Sequence, residues 1–274
     1  MIPTLDLFDP ELIRNPYPFY SDLRETAPIL KTSYGSEEVL VLSRFEDVAR
    51  ILNDKNTTVN QPGSREPMIF KNTSTGALWR NSISRMDPPR HTKTRRVAAR
   101  NFTSVNLEKF KPIVTEITEK VFNEVGTNNI DIVEDISTKI PLLVICKLLG
   151  IPSEDWNYLQ TQTESFLRIF LPYQISEKEL DQINLASKAF VEYFQKHINS
   201  AQNDKSSDVM EDLIIGPLKE GLITTEQLIG LLRGLFTAGF ETTAATISAS
   251  FLAFSKYPDQ FNELIAQRVN MAKV

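Results

Sequence analysis

Two short stretches carry residue types at spacings that chemistry can use. The first is Met86-Asp87-Pro88-Pro89-Arg90-His91-Thr92-Lys93-Thr94-Arg95-Arg96. His91 and Arg95 are four residues apart, so on a helix they share a face. An imidazole donor and a guanidinium on one face suit a carboxylate or a phosphate. Residues 81–100 hold six Lys or Arg and one Asp, in a chain whose net charge is -5. A solvated basic helix has the same composition, so both readings stand at this level.

The second stretch is Thr237-Ala238-Gly239-Phe240-Glu241-Thr242-Thr243. Gly in a helix interior costs about 1 kcal/mol relative to Ala. A Gly, an acid and two Thr inside an otherwise apolar helix suggest a deliberate gap. Ala238, Gly239 and Thr242 would then present small atoms to whatever sits beside them. A Thr hydroxyl can also turn onto a backbone carbonyl and loosen the ladder. Close packing at a helix crossing uses the same small residues, and the pattern by itself does not choose.

The remaining reactive residues are few. Cys146 lies in Ile140-Pro141-Leu142-Leu143-Val144-Ile145-Cys146-Lys147-Leu148-Leu149, where a cysteine reads as a small buried hydrophobe. His197 falls near a helix C-terminus, where a dipole contact is the modest reading. One Cys forms no internal disulfide, and one Cys with two His leaves little for a structural zinc site. There is no P-loop, no dinucleotide fingerprint and no Gly-x-Ser-x-Gly elbow.

The elements that must position these stretches are mostly helical. Asn15-Pro16-Tyr17-Pro18 opens a helix that Pro28 closes. Ile29–Ser33 and Val39–Leu42 read as a hairpin. Ser43-Arg44-Phe45-Glu46 has the pattern of a capping box before a helix from Phe45 to Leu52. From Asn56 to Met86 no period holds, and Phe70, Leu78 and Trp79 sit in that segment. An aperiodic stretch of about thirty residues is often functional. Asp87-Pro88 reads as an N-cap before a proline at the first helical position. Helices are then expected over Leu107–Val125, Ile130–Leu149, Asp155–Phe170, Ser176–Ile198 and Asp208–Leu213. Thr224-Thr225-Glu226-Gln227 is a second capping box, and the helix after it runs to about Ser255. At about 1.5 Å per residue it spans on the order of 45 Å, enough to cross a domain. Pro258 starts a last helix.

Composition narrows the class. Of 274 residues, 41% are apolar, which supports a large core. The net charge of -5 argues against a nucleic-acid partner for the whole chain. The longest uncharged run, Thr242 to Ser255, is fourteen residues of largely Thr, Ser and Ala, too short and polar for a membrane span. The first residues show no signal-peptide pattern, and the cysteine count fits a reducing compartment. A cytoplasmic location without membrane attachment is the expectation.

Together the two stretches resemble the cytochrome P450 family of haem-thiolate monooxygenases, in its soluble bacterial form. Met-Asp-Pro-Pro-x-His-x-x-x-Arg is similar to that family's C helix, and Ala-Gly-Phe-Glu-Thr-Thr to its oxygen-activation motif in the I helix. Asn-Pro-Tyr-Pro-Phe-Tyr, Leu-Leu-Gly-Ile-Pro and Tyr-Pro-Asp-Gln fall in matching order. The resemblance implies a mainly α fold with a small β hairpin, one partial domain over residues 1–274 that ends after the I and J helices. It implies a b-type haem, with His91 and Arg95 on its propionates. Ala238 and Gly239 would leave room above it, with Thr243 supporting that turn. Glu241 and Thr242 would relay protons to bound oxygen. Arg90 stands where the family commonly has an acid.

The resemblance also implies electrons from a ferredoxin or flavodoxin-type donor, with NAD(P)H upstream, and insertion of one oxygen atom into a small apolar substrate. The Glu-x-x-Arg helix and the Cys loop that ligates the iron are not in the sequence, and Cys146 does not match that loop. The 274 residues alone are therefore expected to be inactive. A non-catalytic helical ligand-binding remnant is the alternative.

Overall fold

The computed structural model describes residues 9–34, 37–60, 66–100, 104–126, 129–170, 175–203 and 215–267. Short helices α1 (Pro10–Arg14) and α2 (Tyr17–Thr26) lead into strands β1 (Ile29–Tyr34) and β2 (Glu37–Leu42). The strands pair antiparallel, with Ile29 opposite Leu42 and Leu30 opposite Val41. Helix α3 (Phe45–Asn53) follows, then α4 (Ser74–Asn81), α5 (Arg90–Ala99) and α6 (Ser104–Val125). A π-helical turn (Ile132–Thr138) runs into α7 (Lys139–Leu148). Next come α8 (Trp156–Leu167), α9 (Glu177–Asn203), α10 (Gly216–Lys219), α11 (Thr225–Lys256) and α12 (Pro258–Gln267). The expected mainly α architecture with one hairpin is what the chain adopts; the expected helix at Asp208–Leu213 lies outside the described residues.

The long helix α11 is the organising element. Thr224 caps it: its hydroxyl accepts from the Gln227 amide at 3.3 Å, and the Gln227 side chain accepts from the Thr224 amide at 2.9 Å. In the first half of α11, Leu228, Ile229, Leu231, Leu232 and Phe236 are all buried, because α4, α7, α9 and the π-helical turn pack around it. Helix α9 shows how a surface helix reads instead. Its buried Ile183, Ser187, Phe190, Phe194, Ile198 and Ala201 recur every three or four residues, which makes one apolar stripe. At roughly 25 cal/mol per Å2, burying each of these Phe side chains contributes on the order of 2 kcal/mol.

Three local expectations are corrected by tertiary contacts. Ser43 does not cap α3; Arg44 stands at the cap without a side-chain bond, and the Ser43 hydroxyl donates to the Pro28 carbonyl at 3.2 Å. The serine therefore closes the hairpin rather than starting the helix. The segment from Asn56 to Met86 is not wholly irregular, since α4 forms within it. Thr73 caps α4 by accepting from the Gly76 amide at 3.1 Å, and the Thr75 hydroxyl donates to Asn184 Oδ1 at 2.6 Å on α9. Two turns are too short to show a period, and anchoring to α9 supplies what propensity does not.

Asp87 is the third. The helix starts at Arg90, with Pro89 at its cap. The Asp87 carboxylate instead accepts from the Val59 amide at 2.8 Å and from Asn60 Nδ2 at 2.9 Å. Those bonds, Val59 first and Asn60 second, hold Asp87 below the usual carboxylate range. They tie the end of the segment after α3 to the entry of α5.

Candidate functional site

Helix α5, which carries most of the first stretch, packs against α11, which carries the second. Thr94, Val97 and Ala98 form the buried face of α5. His91 is half-buried beside them and Arg95 is exposed. Among the described residues, neither side chain has a hydrogen-bond partner, and no carboxylate pairs with Arg95. His91 lies close enough to the Asp87 carboxylate for its charge to help lower that group's pKa. Arg90 is used differently: its Nη2 donates to Asn81 Oδ1 at 3.0 Å and to the Arg80 carbonyl at 3.3 Å, locking the start of α5 to the end of α4.

On α11 the transition from buried to open falls inside Thr237–Thr243. Phe240 is the last buried residue of the helix, whereas Ala238, Glu241, Thr242 and Thr243 are exposed, as are Ala245, Thr246 and Ala249 beyond them. Beyond Phe240 the helix is exposed or half-buried on all sides, Phe251 and Leu252 included, and small side chains predominate up to Ser250. The Thr242 hydroxyl donates to the Ala238 carbonyl at 2.7 Å and the Thr243 hydroxyl to the Gly239 carbonyl at 2.9 Å. Each hydroxyl has given its proton to the backbone, so its free lone pairs face outward as acceptors. The helix stays continuous through these bonds. The Glu241 carboxyl is shifted upward, first by partial burial and then by the like charge of Glu164. Glu164→Gln removes that repulsion. The Glu241 carboxyl is then expected to titrate at lower pH, which carboxyl-carbon NMR of labelled protein measures.

Gly239 is not among the exposed residues. A Cβ there would lie 2.9 Å from Ile145 Cδ1 on α7 and 3.1 Å from its Cγ1. Its missing side chain lets α7 approach α11, which is the packing reading of a small residue at a crossing.

The other reactive residues are accounted for structurally. Cys146 is 1% exposed, and burial, with a smaller push from Asp155, raises its thiol to about 12. At neutral pH it holds no thiolate for a metal. Iodoacetamide at pH 8 is expected to leave Cys146 unmodified in the native protein and to label it fully after denaturation, read by intact mass. His197 sits near the end of α7 rather than serving its own helix: Nε2 lies 2.9 Å from the Leu149 carbonyl. Tyr193 donates to Asp155 Oδ2 at 2.7 Å. These three line a cleft of about 1090 Å3 between α6, α7 and α9 that includes no residue of α5 or α11. It is not the site.

The donor set fits a haem's anionic side arms, and the small side chains of α11 leave space for its flat face. The buried thiol does not fit as the axial ligand. Among the described residues no cluster of His, Cys, Asp and Glu is arranged to hold a metal ion. No helix among them is long and apolar enough to cross a membrane. Sequence reasoning missed Arg233, buried on α11 with its Nε unbonded, because a charge inside an apolar helix gives no periodic signal; four residues on, the buried Thr237 hydroxyl is unbonded too.

Comparisons with known proteins bear on the family and the fold. The chain is 30% identical over 273 residues to cytochrome P450 CYP107DY1 of Priestia megaterium, covering 94% of this chain and 66% of that one. It is 28% identical to the cytochrome P450 monooxygenase PikC of Streptomyces venezuelae, covering 96% and 62%. Among solved structures it superposes on P450BioI in complex with an acyl carrier protein ligated to hexadec-9Z-enoic acid. The TM-score is 0.82 at 26% identity, covering 93% of this chain and 65% of that one. The chain thus spans less than two-thirds of the length of these curated relatives. The family model for cytochrome P450 matches residues 9–267, and the chain belongs to the cytochrome P450 family.

Proposed function

We propose that the complete gene product is a haem-dependent monooxygenase that inserts one oxygen atom from O2 into a small apolar organic substrate. The observation that carries this reading is the stretch Ala238–Thr243, where the buried half of α11 ends and a carboxyl stands beside two hydroxyl oxygens that have spent their protons on the backbone. A relative named as a monooxygenase supports it.

Haem, when bound, supplies the electron and oxygen chemistry that no side chain here provides. His91 and Arg95 would hold its propionates by charge-assisted hydrogen bonds. Ala238 keeps the space beside α11 open. Gly239 contributes indirectly, by seating α7. The Thr242 oxygen accepts a hydrogen bond from a water and so fixes that water's second proton toward the reaction space. Glu241, with its raised carboxyl, resupplies the proton to the water. Thr243 holds the Gly239 carbonyl and stiffens the same turn. Apolar substrate preference is supported by the aromatic series Phe70, Trp79, Phe170 and Phe166, whose neighbouring ring centroids are 6.1 to 6.3 Å apart.

For the 274 residues by themselves, the burial of Cys146 favours the second reading, a helical ligand-binding scaffold without turnover. The two readings separate in one experiment. The haem-loaded complete protein, supplied with ferredoxin, its reductase and NADPH under 18O2, should yield product carrying one 18O. Ligand binding without 18O incorporation, whatever the electron donor, would leave the scaffold reading.

Electrons reach such a protein from a small acidic ferredoxin or flavodoxin-type donor in the cytoplasm. Lys93 and Arg96 are exposed on α5 and, among the described residues, have no acidic partner. Arg100, by contrast, is paired with Glu220 at 3.2 Å. Reversing Lys93 and Arg96 to Glu is expected to slow reduction by an acidic ferredoxin roughly threefold to tenfold at low salt. The deficit should shrink once the Debye length falls to about 8 Å at physiological ionic strength. Stopped-flow reduction at two salt concentrations measures both.

A further inference from the structure

Among the described residues, five buried side-chain atoms lack a hydrogen-bond partner, on Thr32, Thr94, Ser137, Arg233 and Thr237. One of these residues carries a charge. Arg233 is 4% exposed, its Nε has no partner and no carboxylate pairs with it. Its guanidinium lies 4.5 Å from the ring centroid of Phe166 on α8, which is attraction to a ring face and not charge neutralisation. A buried cation without a counter-charge is costly, and cations kept in cores are normally paired.

Thr237 is four residues further along α11 and so on the same face. Thr242, Thr243, Thr246 and Ser250 each donate to the carbonyl four residues back. Thr237 does not, and its hydroxyl is unspent. A fork of donors and a free hydroxyl therefore sit in the turn that leads to Ala238.

We propose that Arg233 and Thr237 form an anion subsite that takes the carboxylate of an apolar carboxylic acid. The inference rests on the monooxygenase reading only in placing this acid as the substrate. One guanidinium matches one negative charge, and Nε with one Nη presents the bidentate geometry of a carboxylate. A phosphate monoester would bring a second charge with nothing to meet it. The buried residues around the subsite on α11 and α8, Leu232, Phe236, Phe240 and Phe166, match an apolar body. The carboxylate accepts from Arg233 and Thr237, and the chain of the acid runs toward Ala238 and Thr242.

The test is equilibrium dialysis of the purified haem-loaded protein with dodecanoate and with dodecan-1-ol, which share a chain length and differ in charge. Wild type should hold the acid at least roughly tenfold more tightly than the alcohol, the scale of one charge-assisted contact. Arg233→Met should abolish that preference while alcohol binding persists. Arg233→Lys, which keeps the charge and loses the fork, should weaken acid binding several-fold, and Thr237→Val should do so to a smaller extent. Wild type without acid preference overturns the proposal. So does acid binding that is unchanged in Arg233→Lys, which decides the matter if Arg233→Met does not fold. A protein that prefers the acid but gives no 18O product retains the subsite and loses the monooxygenase reading.

Discussion

Thr242→Ala is expected to cut product formed per NAD(P)H consumed by on the order of tenfold or more, while NAD(P)H consumption continues. The hydroxyl that accepts from the relay water is gone, and general-acid delivery is worth on the order of 100-fold or more in rate. Two structural facts make the test clean. Thr242 is exposed, and among the described residues its hydroxyl bonds only to the Ala238 carbonyl of its own helix. Losing that bond leaves a carbonyl still held in the α-helical ladder, and Ala is the better helix former by roughly 0.5 kcal/mol. Thermal stability should therefore hold or rise slightly as coupling falls. Thr242→Ser should restore coupling. Glu241→Gln should slow turnover instead, because the water keeps its acceptor and loses its proton source. If Thr242 only packs the helix, stability changes and coupling stays; wild-type coupling and rate in Thr242→Ala would end the relay assignment.

Two glycines four residues apart on α11 are expected to respond to alanine with opposite signs. A Cβ on Gly230 would lie 2.7 Å from the carbonyl carbon of Asn81 and closer still to its oxygen. That neighbour is backbone at the end of α4, whose position Thr75 fixes on α9, so it yields only by moving a helix. Overpacking of this kind costs about 1–3 kcal/mol, more than the roughly 1 kcal/mol that Ala gains over Gly in a helix. Gly230→Ala should lower thermal stability. Gly234 has nothing within 4 Å of a Cβ, so the propensity term acts alone and Gly234→Ala should stabilise by up to about 1 kcal/mol. Chemical denaturation of the two variants reads both signs. A stabilised Gly230→Ala would mean that α4 does not seat on α11 as described.

Much of this was legible because it is local. Helix α11, its capping box and its length follow from Thr224, Gln227 and an uninterrupted helical pattern. The π-helical turn at the start of the segment predicted over Ile130–Leu149 was not legible, because a change of helical pitch leaves the apolar run unchanged. The two candidate stretches stood out by residue type and spacing, and the helices that carry them, α5 and α11, do meet. Sequence could not say which side of α11 each small residue faces. Ala238 and Thr242 open outward whereas Gly239 is consumed by Ile145 on α7.

What the sequence determined by itself is the helical class, the hairpin, the order of elements and the two chemical stretches, since these depend on periodicity, caps and composition within a short window. What only the tertiary structure decided is partnership. Ser43 and Asp87 bond across the fold to Pro28, Val59 and Asn60 instead of capping the next helix. Thr75 reaches more than a hundred residues along the chain to α9, and among the described residues the buried Arg233 has no acidic partner and an unbonded Nε. A polar side chain satisfies its hydrogen bonds with whichever group packing brings near, and that group's distance along the chain carries no local signature.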